Sequence, residues 1–146
     1  MTLPQTLALA TASSLLALAG CASTQPTATH PASLELAQSA ETLDKDARLL
    51  ATRADGEETP GFTADAHELS QRAYEFRLAA ASSNANEGEL HSEFARVTDS
   101  YERVRADVDR MDTAQARGDL GLVQDSYHDV ASRLGTAPAS STTPGS

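Results

Sequence analysis

The sequence predicts an all-α protein, an antiparallel four-helix bundle. Two observations carry that reading. Four segments each bear an apolar seam whose members are spaced by three and four residues, which is the period of one helix face. Glycine, proline or a polar cluster separates each segment from the next, and the connections are short enough to force antiparallel neighbours. Composition agrees. With three Phe, three Tyr and no Trp, the core must be built from Leu, Val and Ala, which suits close helix packing better than strands. A long helical hairpin completed by dimerisation is the alternative, because the second seam is rich in alanine and the fourth segment is short.

A chain of 146 residues accommodates one domain. Residues 33–134 form the expected bundle. Residues 1–20 read as a signal peptide, 21–32 as a tether and 135–146 as a disordered tail.

The N-terminal segment is an uncharged run. Residues 7–19 are Leu, Ala, Thr and Ser only, too short for a bilayer core, which needs about 20 residues. The length fits the apolar region of a secretory signal. The run closes on Leu18-Ala19-Gly20-Cys21, and Cys21 is the sole cysteine. These four residues resemble the lipobox of bacterial lipoproteins. That resemblance implies a diacylglyceryl thioether on Cys21 and cleavage between Gly20 and Cys21. It also implies sorting to the outer membrane, since Ala22 rather than aspartate follows. Acyl chains gain about 0.8 kcal/mol per buried methylene, so two or three anchor a protein firmly. A lone cysteine in an exported chain, where cysteines usually pair, is accounted for by lipidation. Residues 1–6 depart from the pattern, because they lack Lys and Arg. Either the α-amine supplies the charge or the precursor starts upstream of Met1. The competing reading is an ordinary apolar helix with Cys21 as a buried thiol.

Residues 22–32 contain Ala, Ser, Thr, Gln, Pro and His without apolar period. As a flexible tether they span on the order of 18 Å. His30 falls here and reads as solvated.

The first helix is expected after Pro31, with Ser33 as N-cap. Its seam is Leu36, Ala40, Leu43, Ala47, Leu50 and Ala54. Glu41–Lys45 and Asp44–Arg48 are spaced as supporting i,i+4 pairs, and Asp55-Gly56 ends it. The second seam is Phe62, Ala66, Leu69, Ala73, Phe76 and Ala80, with Thr63 as cap and Asp65 near the positive helix end. Residues 82–86 form a polar turn. The third seam, Leu90, Phe94, Val97, Tyr101, Val104, Val108 and Met111, alternates four and three without an error. Asn86 and Glu89 have capping-box spacing. Asp99–Arg103 supports the exposed face, and Arg117-Gly118 marks the C-terminus. Asp119 then caps a shorter fourth helix with Leu120, Val123, Tyr127, Val130 and Leu134, stopped by Gly135.

Net charge is −10, and no charged side chain precedes Glu35. So acidic a surface repels nucleic acid and anionic lipid headgroups alike. Membrane attachment therefore falls to the lipid on Cys21.

Chemistry is sparse. Taking the seams as heptad a and d positions, His67 and His128 fall outward at b and His91 on the flank. Carboxylate-bridged metal bundles need two inward Glu-x-x-His motifs. The nearest spacing, Asp125 to His128, lies on the outer surface, so these two are surface candidates only and the reading assigns no metal. Haem attachment, a nucleophile elbow and a phosphate-binding glycine loop are all without a motif. No cofactor and no enzymatic activity are expected. Tyr101 and Tyr127 occupy a positions, and Arg105 lies one turn after Tyr101. The two tyrosines read as bundle core with hydroxyls reaching the rim and Arg105 covering Tyr101, or alternatively all three form a polar ligand notch between the third and fourth helices.

Ser100-Tyr101-Glu102-Arg103-Val104-Arg105-Ala106-Asp107-Val108 and Asp119-Leu120, with Val123, Tyr127, Val130 and Leu134-Gly135, resemble the C-terminal half of a group of small uncharacterised proteobacterial helical proteins. The similarity covers about residues 90–135 and implies no activity. The sequence thus points to a lipid-anchored, non-enzymatic periplasmic module. Its partner would be an envelope protein or a second copy of itself. The alternative is a small-ligand or metal-binding bundle.

Overall fold

The computed structural model describes residues 31–57 and 59–136. The signal segment, Gly20, Cys21, the tether up to His30 and the tail from residue 137 lie outside the described residues. The rest folds as four α-helices with no strand among the described residues: α1 Pro31–Ala54, α2 Pro60–Ala81, α3 Glu87–Met111 and α4 Ala114–Arg133.

The helices pack in a ring. α1 lies against α2 and α4, α2 against α3, and α3 closes on α4 with the sparsest contact of the four. Ion pairs fix the direction of α4 on α1. Arg53 near the end of α1 meets Asp119 near the start of α4, and Arg133 at the far end of α4 meets Glu35 at 2.7 Å. The topology is therefore up-down-up-down. One chain supplies the core from all four helices, as a bundle requires, and the dimerised hairpin does not describe it.

Every expected seam points inward. On α1 and α2, Ala40, Ala47, Ala54, Ala66 and Ala73 are fully buried between Leu43, Leu50, Leu69, Phe62 and Phe76. Small side chains let these two axes approach closely. The α3–α4 seam instead carries Phe94, Tyr101 and Tyr127, whose rings hold the helices apart. Ala80, Leu90, Met111 and Leu134 pack at the edges of the core.

Several ends differ from the sequence expectation. α1 begins at Pro31, so Ser33 lies inside the helix rather than capping it. Pro31 suits a first-turn position because its missing N–H would have no helical partner. α2 likewise begins at Pro60 after Thr59, and Thr63 is a first-turn residue. The Thr63 hydroxyl donates to Ala54 O at 2.9 Å and so ties α2 back to the end of α1. Asn86 caps α3 as expected, its Oδ1 accepting the Glu89 N–H at 2.9 Å.

The α3–α4 boundary is corrected most. α3 stops at Met111 because Asp112 turns left-handed, φ 52°, and sends its N–H to Val108 O. Thr113 then caps α4, its hydroxyl accepting the Ala116 N–H at 3.3 Å. Arg117 and Gly118 are therefore inside α4, and Asp119 is a buried helical residue, not a cap. α4 is correspondingly longer than the seam alone implied. Gly135, φ 68°, ends it: its N–H meets Ser132 O and the Thr136 N–H meets Ala131 O, the paired bonds of a left-handed helix stop.

Candidate functional site

Among the described residues, the α3–α4 seam holds the aromatic stack of the core. Tyr101 and Tyr127 lie nearly parallel, with centroids 4.6 Å apart and planes 9° from each other. Phe94 continues the stack on Tyr127 at 5.1 Å, and Phe76 of α2 meets Phe94 at 5.4 Å. The seam spacing creates this cluster, since Phe94 and Tyr101 are two turns apart on α3 and Tyr127 enters between them from α4.

The hydroxyls are placed differently. Thr98 Oγ1 lies 3.0 Å from Phe94 O and 3.0 Å from Tyr127 Oη. Thr98 has one hydroxyl hydrogen, and the backbone carbonyl can only accept it, so Tyr127 is the donor to Thr98. Burial pushes the Tyr101 phenol up to about 12, against the opposing pull of Arg105. Tyr101 therefore stays neutral throughout the physiological range.

Outside the stack, α3 and α4 leave a groove of about 260 Å³. Phe94 and Tyr127 form its apolar floor, and His91, Ala95, Thr98, Asp99 and Thr136 its walls. Of the three residues expected at a ligand notch, Tyr127 lines this groove. Tyr101 is buried behind it, and Arg105 is engaged with Glu102 at 3.3 Å.

The metal candidates are also apart. Asp125 opens onto a second groove between α1 and α4, with Glu35, Asp46, Asp129 and Leu122. His128 leans on the Tyr127 ring at 5.7 Å. His67 meets Asp55 at 2.7 Å, and His91 stands 3.7 Å from Glu87. Among the described residues no three His, Cys, Asp or Glu side chains are arranged to hold a metal ion.

Three buried carboxylates were missed by the sequence reading. Asp44 on α1 sits between Arg48 and Arg77, both Nε atoms at 2.9 Å, and the two guanidiniums flank the half-exposed Tyr74 ring at 5.3 and 5.0 Å. Asp119 on α4 is paired with Arg53 of α1, and Asp107 on α3 with Arg110. Each stands beside its seam, where an acid reads as surface until a neighbouring helix covers it. Arg103 likewise turns away from Asp99, with which no ion pair forms, and reaches Glu68 of α2 at 2.8 Å.

Compared with protein-family models, curated proteins and solved structures, the chain matches none.

Proposed function

We propose that this protein is a non-enzymatic lipoprotein of the bacterial envelope. Acyl chains on Cys21 anchor it at the periplasmic face of the outer membrane, and the acidic bundle binds an envelope protein. The observation that carries this reading is Leu18-Ala19-Gly20-Cys21, with the sole cysteine at the end of an uncharged apolar run. Two further features support it. No helix among the described residues is long and apolar enough to cross a membrane, so this reading puts the whole of the attachment on the lipid. Leu49, Tyr74 and Leu78 are exposed on α1 and α2 and offer apolar contacts to a partner.

Membrane fractionation of cells expressing wild type or Cys21→Ala tests the anchor, and in-cell cross-linking of the same strains identifies the neighbour. Wild type is expected in the membrane fraction with one dominant cross-linked envelope protein, and Cys21→Ala in the soluble fraction. A Cys21→Ala protein that stays in the membrane contradicts the reading.

A second reading is favoured by the groove beside Tyr127. Its aromatic floor and mixed polar walls suit a small amphipathic ligand, and its volume lies just below the usual range of about 300–1,000 Å³. A ligand present at about a hundred times its dissociation constant would add about 2.7 kcal/mol of stability. Thermal unfolding against a panel of envelope lipids and divalent metals reads this out, and an unchanged Tm throughout counts against it.

A further inference from the structure

Two faces of the bundle border α1, and they carry opposite chemistry. On the α2 side, the half-exposed Tyr74 ring stands between the guanidiniums of Arg48 and Arg77, 5.3 and 5.0 Å from its centroid. Buried Asp44 holds the Nε of each arginine at 2.9 Å and so fixes both cations against the ring. Among the described residues no ion pair takes their Nη atoms. Leu78, one helical turn from Tyr74, is 48% exposed. Tyrosine and arginine dominate binding surfaces, and here both are held in place before any encounter, which lowers the ordering cost of docking.

On the α4 side lies the groove of about 450 Å³ between α1 and α4. Glu35, Asp46, Asp125 and Asp129 line it, with Arg133 as its one cation among the described residues. Arg133 is committed to Glu35 at 2.7 Å and Asp129 at 3.2 Å. Asp46 and Asp125 are left without an ion-pair partner among the described residues. Leu122 stands in the same wall, 46% exposed.

We infer that the Tyr74 face of one copy of this chain docks on the α1–α4 groove of a second copy. Tyr74 and Leu78 cover Leu122, while the Nη atoms of Arg48 and Arg77 meet Asp46 and Asp125. Such charge matching selects the partner and fixes how it docks. The net charge of −10 does not forbid the contact, because charges more than about 8 Å apart are largely screened at physiological salt and the local pattern decides. The two faces are different surfaces of one chain, so the contact is heterologous. A docked pair still presents one open face of each kind, and association grows with concentration. This adds a second copy to the partner reading above and does not depend on the lipid anchor.

Sedimentation of the full chain carrying Cys21→Ala, so that no acyl group drives association, tests the contact. The mass should rise above that of a monomer as concentration rises. Tyr74→Glu with Leu78→Glu removes one face, and Leu122→Lys with Asp125→Lys removes the other; each protein alone should be monomeric. Mixed in equal amounts they should form a complex of two chains, because one intact face of each kind remains, and this rescue shows that both variants are folded. A Cys21→Ala chain that stays monomeric at every concentration overturns the inference without touching the Cys21 anchor. Self-association that survives either pair of substitutions, or a mixture that remains monomeric, overturns it as well.

Discussion

Tyr127 lies on Tyr101 with ring centroids 4.6 Å apart, and its hydroxyl donates to Thr98 at 3.0 Å across the α3–α4 seam. This pair does for α3 and α4 what alanine does for α1 and α2: it sets how far apart the helices stand. Removing the ring should collapse or hollow the seam. Tyr127→Ala is expected to cost about 3–5 kcal/mol in urea unfolding, the range for deleting a buried aromatic. Tyr127→Phe keeps the stack, loses one hydrogen bond and should cost about 1 kcal/mol. Equal losses in the two variants would mean that the hydroxyl, not the stack, holds the seam.

Arg53 and Asp119 join α1 to α4, with Asp119 8% exposed. Arg53→Met leaves a carboxylate in a largely dry site, although the arginine itself is 44% exposed and partly screened. The expected loss is about 1–3 kcal/mol, below the range for a fully enclosed pair. Asp119→Leu in the Arg53→Met background should recover most of it, since the apolar pair needs no desolvated charge. A double-mutant cycle on chemical denaturation measures the coupling.

Two helix ends carry local expectations. Asn86→Ala removes the side chain that accepts the Glu89 N–H and should cost about 1 kcal/mol. Asp112 holds φ 52°, a backbone state that glycine adopts freely. Asp112→Gly should therefore be neutral or stabilising by up to about 1 kcal/mol, whereas Asp112→Val should destabilise, because a β-branched residue resists that state. Thermal melts of the three variants distinguish these signs.

Acid should act on the α1–α4 seam in the conventional direction. The Ser39 hydroxyl, and then Arg133, hold the Asp129 carboxyl below the usual aspartate range. A lowered folded-state value gives stability that is complete above the unfolded value and lost as pH falls through the folded one. Asp129→Asn should thus destabilise at neutral pH and lessen the loss of Tm below about pH 4. An acid limb of the same steepness in wild type and variant would show that Asp129 contributes nothing to it.

The helices were legible because their burial is periodic. The seven α3 positions from Leu90 to Met111 follow one period, and core packing accepts all of them. The α3–α4 turn was not legible, because Gly118 and Asp119 are stronger sequence signals for a break than Asp112-Thr113. The break falls where Asp112 adopts a left-handed conformation that aspartate tolerates without announcing it. Pairing between helices was hidden for a related reason. Arg103 has Asp99 one turn before it, yet its partners Asp65 and Glu68 come from α2. Local spacing suggests the first pairing, and only packing reveals the second. The same holds for the groove. Tyr127 was identifiable from its seam position, but His91, Ala95, Thr98 and Thr136 become its neighbours only once α3 and α4 are splayed by the aromatic stack.

The central claim, that the bundle is a lipoprotein module hung from Cys21, is tested most directly by mass spectrometry of the mature N-terminal peptide. The account predicts a chain that begins at Cys21 and carries a diacylglyceryl group on its sulfur. A mature chain that retains residues 1–20, or whose Cys21 is a free thiol, would contradict it.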